Sequence, residues 1–223
     1  MPKIKTNNIE TYYEITGEGT PLVLIPGMGM SMNLWIPQVE PFSKHFKVIT
    51  YDVRGHGDSG SSDDKYSIKL FASDLKALLD TLGISKTHIC GLSMGGLIAQ
   101  QYAIDYPDMV DRLIIVGAFC HISFGEKILT AYLKTVHRIM FMFMSMQKYT
   151  DMHAKGIFKK EEQQELREFF IREKVDNIAK KEFLKAMSAT FSFESLNRLK
   201  EIMSPTLILS AEGGKRERQQ AAV

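Results

Sequence analysis

The chain has 223 residues, of which 44% are hydrophobic and 24% are charged, with 16 glycines, 7 prolines and 2 cysteines. This composition is typical of a globular domain, and it excludes a disordered chain, a collagen-like repeat and a small disulfide-stapled domain. The formal net charge is +2, and residues 213–223 alone supply it, with Lys215, Arg216 and Arg218 against Glu217. A short basic tail therefore sets the charge, which gives no indication of a nucleic-acid-binding surface.

The first residues of the chain lack the apolar stretch that a secretory signal peptide requires. The longest apolar run, residues 139–146, is too short to span a bilayer. Cys90 and Cys120 each lie in or beside an apolar segment, which favours buried reduced thiols over a disulfide. No spacing of Cys and His residues is typical of a metal site. We therefore expect a cytoplasmic protein with no metal and no cofactor, and with neither membrane nor nucleic acid as a partner.

Short apolar runs alternate along the chain with longer segments of helical periodicity. Strands are predicted over residues 21–26, 46–51, 86–90, 112–116 and 206–209. A helix is predicted over residues 67–82, because its apolar residues fall on one face and Gly83 follows as a stop signal. Another helix is predicted over residues 96–106. This alternation predicts an α/β fold, with a mostly parallel sheet and helices on both of its faces.

The pattern changes after residue 120, because residues 121–200 contain only helical signals and the strand signal returns at Pro205. We therefore divide the chain into a core (1–120), an inserted helical lid (121–200), a return to the core strand (201–212) and an atypical basic tail (213–223). A helical insertion at this place is typical of a lid that selects and shields substrates. The Met- and Phe-rich run at residues 139–146 is either the buried interior of this lid or one wall of an adaptable apolar pocket.

One motif with chemical meaning joins the third predicted strand to the helix that follows it. Its sequence, Gly91-Leu92-Ser93-Met94-Gly95, places a serine on a sharp turn, where only small residues fit two positions away on either side. Such a turn would hold the Ser93 hydroxyl above the sheet. It would also direct the backbone N–H of Met94, at the positive end of the helix, into the same space. The alternative interpretation is a glycine-rich turn with an incidental serine.

A second segment, Pro-Gly-Met-Gly at residues 26–29, follows the first predicted strand. A hydrolase of this plan needs another backbone donor at that place, and the N–H of Met28 would be the partner of the Met94 N–H in an oxyanion hole. The alternative is a plain turn at the end of a strand. The two motifs support each other, since an oxyanion hole and a nucleophile must lie side by side.

With these motifs the chain resembles α/β-hydrolases of the lid-bearing branch, which includes enol-lactonases, cofactor-free haloperoxidases, esterases and carbon–carbon bond hydrolases. The resemblance covers residues 8–211, and its matching positions are 26–29, Trp35, 52–59, 91–96, 106–107, 110–113 and 204–207. The Trp35 neighbourhood and the 91–96 segment are most similar to the enol-lactonase-like members. The resemblance implies that Ser93 is the nucleophile, that Met28 and Met94 form the oxyanion hole, and that a small, largely apolar carboxylic ester or lactone is hydrolysed through an acyl-enzyme.

Residues 55–60 also match the Gly-x-Gly-x-x-Gly pattern of dinucleotide-binding proteins. That fingerprint requires the last glycine to lie inside the start of a helix whose N–H groups hold a pyrophosphate. Gly60 is instead followed by a polar segment, in which the carboxylates of Asp63 and Asp64 would repel phosphate. We therefore expect a structural loop held in part by His56, and we rank a dinucleotide-binding oxidoreductase last.

The sequence departs from the resembled family at the catalytic acid and base. On this fold both follow the serine, the acid first, yet Gly214 stands where the resemblance places the acid and no histidine follows His153. We therefore expect a chain truncated before its last strand and helix, and little or no turnover, because Ser93 without a base is a weak nucleophile. His121 and Glu212 are conceivable surrogates, although nothing in the local sequence orients the imidazole of His121.

Two alternatives to an active enzyme follow from this departure. The chain could be a non-catalytic protein that keeps the pocket for ligand binding, or a truncated homologue without a function of its own. Loss of the last strand would also leave the strand at residues 206–209 at the edge of the sheet, next to an uncovered apolar surface. Such an edge favours pairing with a second copy of the chain.

Overall fold

The computed structural model describes residues 3–122, 124–175 and 178–210, which form a seven-stranded sheet in the order β1-β2-β4-β3-β5-β6-β7. The first two strands pair antiparallel with each other, β2 pairs antiparallel with β4, and the remaining pairs are parallel. The strands are β1 (Lys3–Thr6), β2 (Ile9–Thr16), β3 (Pro21–Ile25), β4 (Lys47–Tyr51), β5 (Thr87–Leu92), β6 (Val110–Val116) and β7 (Thr206–Leu209). All five predicted strands are therefore present.

The antiparallel hairpin of β1 and β2 was not predicted. Its turn is formed by Asn7 and Asn8, whose φ angles are +39° and +65°. Two consecutive positive φ angles are the geometry of the tight hairpin turn that asparagine tolerates best among residues with side chains. The Asn-Asn pair, followed by the β-branched and aromatic residues of β2, was the sequence signal that could have revealed the hairpin.

Helices cover both faces of the sheet, which confirms the predicted fold class. On one face, α2 (Ile68–Thr81) and α3 (Met94–Asp105) pack against buried strand residues such as Val23, Ile49 and Ile89. On the other face, Trp35 and α1 (Ile36–Ser43) pack against the alternate strand residues, among them Leu22 and Leu24. This division follows from the strand geometry, because successive side chains point to opposite faces.

The segment between β6 and β7 contains the helices α4 (Phe124–Phe143), α5 (Met146–Ile157), α6 (Gln164–Val175) and α7 (Lys180–Thr190), which we call the helical insertion. It has an apolar cluster of its own, the insertion cluster, whose buried members are Phe141, Tyr149, Ile178, Phe183 and Met187. Met140, Met144 and Met146 pack against this cluster, whereas Met142 and Phe143 are 74% and 86% exposed. The Met- and Phe-rich run is therefore split, with one side in the insertion cluster and the other in solvent.

The strand β7 is outermost among the described strands and pairs with β6 alone. Its apolar side chains Leu207, Ile208 and Leu209 are all exposed. The residues after Ser210, including the basic tail and Glu212, lie outside the described part of the chain, so the expected loss of a last strand and helix stays a prediction. No helix within the described ranges has both the length and the apolar character needed to cross a lipid bilayer.

Candidate active site

Ser93 lies between the last residue of β5 and the first residue of α3, with φ +53° and ψ −114°. This backbone conformation is strained for a residue with a side chain. The two glycines of the motif are required by close approach of the backbone. A Cβ on Gly91 would overlap the carbonyl oxygen of Gly95, and a Cβ on Gly95 would overlap the carbonyl oxygen of Ile25. The structure therefore has the sharp strand-to-helix turn that the motif predicts.

The loop that contains Met28 reaches Ser93 because β3 and β5 pair in parallel, with Ile25 opposite Gly91. The carboxyl ends of both strands consequently lie at the same edge of the sheet. A Cβ built on Gly27 would be 3.7 Å from the Cβ of Ser93, which places this loop directly beside the serine. The structure thus brings the two motifs together, while the donor role of the Met28 and Met94 N–H groups stays a prediction.

Met28 also connects the candidate site to the helical insertion. Its side chain packs against the insertion cluster, and its sulfur lies 3.9 Å from the hydroxyl of Thr190 on α7. The wall next to the loop is therefore apolar and rich in methionine, which is adaptable in shape. Part of the Met-rich run that the sequence singled out contributes to this wall, because Met140 and Met144 pack against the same cluster.

Asp52 anchors the segment that follows the Met28 loop, a role that was not predicted from the sequence. Its carboxylate accepts hydrogen bonds from the backbone N–H of Met32 at 2.7 Å and of Asp58 at 2.8 Å. It thereby joins the segment after the Met28 loop to the loop at residues 54–60. Burial raises the pKa of Asp52 to about 6, although the two N–H donors act in the opposite direction. The sequence signal that could have indicated this role is the position of Asp52, an acidic residue directly after a buried strand.

The raised pKa of Asp52 predicts a pH-dependent stability. Because the folded protein binds this proton more tightly than the unfolded chain, the protonated carboxyl stabilises the fold below pH 4, and this contribution is lost as the pH rises through about 6. The loss amounts to about 3 kcal/mol at most. We expect the unfolding free energy of wild type relative to Asp52→Asn, measured by urea denaturation, to decrease between pH 4 and 7. A constant difference over that range would contradict this assignment.

The Gly-x-Gly-x-x-Gly segment forms a loop and does not open a helix. The N–H of Gly55 donates to the carbonyl of Gly60 at 2.9 Å, and the next helix, α2, begins only at Ile68. His56 is fully buried in this loop, with its Nδ1 atom 3.0 Å from the carbonyl oxygen of Arg54. These contacts agree with a loop-holding role for His56 and lack the helix that a dinucleotide site requires.

His121 has a partner, although nothing in its local sequence provides one. Its Nδ1 atom lies 2.6 Å from a carboxylate oxygen of Glu194, a residue 73 positions away that no local pattern could reveal. The hydrogen bonds of the two residues that precede it do not involve Ser93. The side chain of Gln100 donates to the carbonyl of Phe119, and the N–H of Ser195 donates to the carbonyl of Cys120. Gln100 is two helical turns beyond Ser93, about 10 Å along the axis of α3, and no hydrogen bond among the described residues joins His121 to the serine.

A cavity of about 1320 Å³ lies on the face of the sheet opposite α3. Its apolar lining comes from the sheet, from Trp35 and from α6, and includes Leu22, Cys90, Leu92, Ile114, Val116, Leu166, Phe169 and Phe170. Ser93 and Met28 are not among the residues that line it. The cavity is therefore separate from the candidate nucleophile. In the described part of the chain, His, Cys, Asp and Glu side chains nowhere gather in threes as a metal site would need.

Comparison with known proteins gives a family for this architecture. The family described as alpha/beta hydrolase fold matches residues 20–143, which is more than half of the chain. The (E)-2-((N-methylformamido)methylene)succinate hydrolase of Acinetobacter baylyi is 38% identical over 112 residues, which cover 50% of this chain and 43% of that protein. The sequence matches to the first curated relatives each span less than half of the relative's length.

Solved structures match over nearly the whole chain. The enol-lactonase from Burkholderia xenovorans LB400 superposes with a TM-score of 0.87 at 25% identity, over 99% of this chain and 87% of that one. The bromoperoxidase from Bacillus anthracis superposes with a TM-score of 0.78 at 27% identity, over 91% of this chain and 77% of that one. The helices of the insertion are thus part of an arrangement that recurs in other proteins.

Proposed function

The chain belongs to the α/β hydrolase fold family, and from this premise we propose that it is a serine hydrolase-type protein for small, largely apolar carboxylic esters or lactones. Ser93 attacks the carbonyl carbon, and the N–H groups of Met28 and Met94 stabilise the oxyanion that forms. The proton of the Ser93 hydroxyl passes through a base to the leaving alkoxide as the ester C–O bond breaks, so that the acyl group remains on the Ser93 oxygen. Water then hydrolyses this acyl-enzyme to the acid and restores the hydroxyl of Ser93. No metal or cofactor takes part in this proposal.

The observation that carries the proposal is the backbone conformation of Ser93. A serine with φ +53° at the first turn of a buried helix is strained, and Gly91 and Gly95 permit the turn, because a Cβ on either would overlap backbone atoms. Strain of this kind is concentrated at functional sites. The same turn puts the hydroxyl at the carboxyl edge of a parallel sheet, where ligands bind in open α/β folds.

The proposed substrate class rests on the surroundings of Met28. Its side chain packs against the insertion cluster, which is built from aromatic residues and methionine. An apolar acyl or lactone ring would find favourable contacts there, whereas a polymer or a highly charged molecule would not. The similarity to a protein described as an enol-lactonase supports the same class.

We further propose that turnover is low in a chain of this sequence. The proton of the Ser93 hydroxyl needs a base, and none of the six histidines follows the helical insertion. The described hydrogen bond of His121 is to Glu194 and not to Ser93, so we do not assign it as the substitute. A positioned general base contributes a factor of roughly 10² to 10⁴, and an oxyanion hole without it retains only modest acceleration.

The experiment tests the nucleophile separately from turnover. The protein is incubated with p-nitrophenyl acetate and free imidazole, which replaces the missing base, and intact mass is then measured. We expect one acetyl group per chain in wild type and in the control Ser85→Ala, whose serine is exposed, and none in Ser93→Ala. Without imidazole, we expect acetylation to be slower by about 10²-fold. Equal labelling of Ser93→Ala would refute the nucleophile, and fast turnover without imidazole would refute the proposed impairment.

One observation favours a second candidate, a protein that binds an apolar ligand without turnover. The cavity of about 1320 Å³ is apolar and does not contain Ser93. Saturable binding of the ester with no acetylation of any variant, even with imidazole, would favour this candidate over the hydrolase.

A further inference from the structure

A second, smaller cavity of about 350 Å³ lies between α4, α7 and the segment that precedes α2. Its volume falls within the range of small-molecule sites. We call it the basic cavity, because five of its lining residues are cationic: Lys65, Lys134, Arg138, Lys181 and Lys185. No acidic residue lines it. This local concentration of positive charge is independent of the basic tail that sets the net charge of the chain.

Three of these cations have no carboxylate partner within the described residues. Lys65 and Arg138 take part in no ion pair there, and Lys134 has only a contact of 3.4 Å to the hydroxyl of Ser192. The other two are partly neutralised. Lys181 pairs with Asp63 at 2.8 Å, and Lys185 lies 3.6 Å from a carboxylate oxygen of Glu182. Asp63 and Glu182 thus offset two of the five cations, and the remaining surplus of positive charge comes from Lys65, Lys134 and Arg138.

The arrangement costs free energy when the cavity is empty. Lys134 is half-buried, and burial, followed by the like charge of Lys65, lowers the pKa of its ammonium group. Like charges held near one another in a concave, partly desolvated place repel more strongly than on an open surface. A bound anion would remove this repulsion, because it would lie close to several of the cations at once.

The remaining walls of the cavity are mostly apolar. Leu184 and Met187 line it from α7, and the ring of Tyr66 lies under the ammonium of Lys185 at 4.7 Å. Met187 also belongs to the insertion cluster, so this wall is continuous with the apolar interior of the insertion. A ligand that fits the cavity would combine an anionic group with an apolar part. An inorganic ion alone would leave the apolar wall uncovered.

We propose that the basic cavity binds a small organic phosphate, whose dianionic phosphate group contacts Lys65, Lys134 and Arg138 and whose apolar part packs on Leu184 and Met187. Phosphate presents three acceptor oxygens to the guanidinium and ammonium donors, which makes it the matching anion for three unpaired cations. This inference does not rest on the proposed hydrolase function, since Ser93 takes no part in it.

Isothermal titration calorimetry of the full chain with phenyl phosphate tests the inference, with benzyl alcohol as the neutral control ligand. We expect one saturable site for phenyl phosphate, weaker binding with added sodium chloride and no saturable heat for benzyl alcohol. Arg138→Gln and Lys65→Gln are each expected to weaken binding about tenfold, as loss of one charge-assisted contact implies. Both side chains are exposed and lack ion pairs within the described residues, so the variants should fold, which circular dichroism checks.

The matched control is Lys155→Gln, which removes an exposed lysine of α5 outside the cavity and should leave the affinity unchanged. Equal weakening by Lys155→Gln would show that binding is a general charge effect and would overturn the site. Unchanged affinity in the Arg138→Gln, Lys65→Gln double variant would overturn it as well. If inorganic phosphate bound as tightly as phenyl phosphate, the apolar part of the assignment would be wrong.

Discussion

Replacing Gly95 by alanine is expected to destabilise the protein by about 3 kcal/mol, which is near the upper end for overpacking of a core. The added Cβ would overlap the carbonyl oxygen of Ile25 and lie 2.7 Å from that of Pro26. Both obstacles are backbone atoms at the end of β3, a strand hydrogen-bonded on both sides, so neither can move away cheaply. Urea denaturation should show the loss as a lower midpoint. The displaced Ser93 should also lose its acetylation in the imidazole experiment.

Gly156→Ala provides the control for this substitution. Gly156 lies near the end of α5, and a Cβ there would meet nothing within 4 Å. Alanine is the better helix former, so we expect the control to be neutral or more stable by up to about 1 kcal/mol. A Gly95→Ala protein as stable as wild type would show that the turn can open without cost, and would count against the tight geometry of the site.

The second large effect is expected for Arg54→Met, which should lower the unfolding free energy at pH 7 by about 3 to 5 kcal/mol. Arg54 is fully buried and binds the carboxylate of Asp74 through two hydrogen bonds, of 2.8 and 2.6 Å. It also donates to the hydroxyl of Ser62 and to the carbonyl of Asn7. Removing the guanidinium leaves the carboxylate of Asp74 buried and uncompensated, which is the costly half of a buried ion pair.

The pH dependence of the destabilisation by Arg54→Met distinguishes the loss of the ion pair from the loss of side-chain packing. Burial raises the pKa of Asp74, and Arg54 counteracts that rise. Without Arg54 the carboxyl can be protonated in mildly acidic solution, so the destabilisation should be smaller at pH 4.5 than at pH 7. Lys76→Met breaks the more exposed Lys76–Asp80 pair and should cost less than about 1 kcal/mol. Similar decreases in the unfolding free energy for both variants, or a decrease for Arg54→Met that does not change with pH, would contradict a charge-based role for Arg54.

Elements whose signal is local could be predicted from the sequence. The five predicted strands are short apolar runs, of which β3, β4 and β5 are largely buried, and α2 has its apolar residues on one side. The turn around Ser93 could be predicted because its requirement, glycine at 91 and 95, is itself local. The ends of these elements were predicted to within about two residues, which is the usual uncertainty at the ends of helices and strands.

Features that depend on residues far apart in the chain could not be predicted. Glu194 contacts His121, which is 73 positions away in the sequence, and Asp52 accepts a hydrogen bond from the backbone of Met32, which is 20 positions away. The basic cavity likewise combines Lys65 with Arg138, which share no sequence pattern. The hairpin of β1 and β2 is different, because its Asn-Asn turn was visible in the sequence.

The conformation of Ser93 also raises the question of why a serine, and not a glycine, stands at this position. A left-handed φ of +53° costs a serine about 1 to 3 kcal/mol that glycine would not incur. If folding stability alone mattered, glycine would be favoured at this position, because it would release the strain. Folding stability alone therefore does not account for a serine at this position.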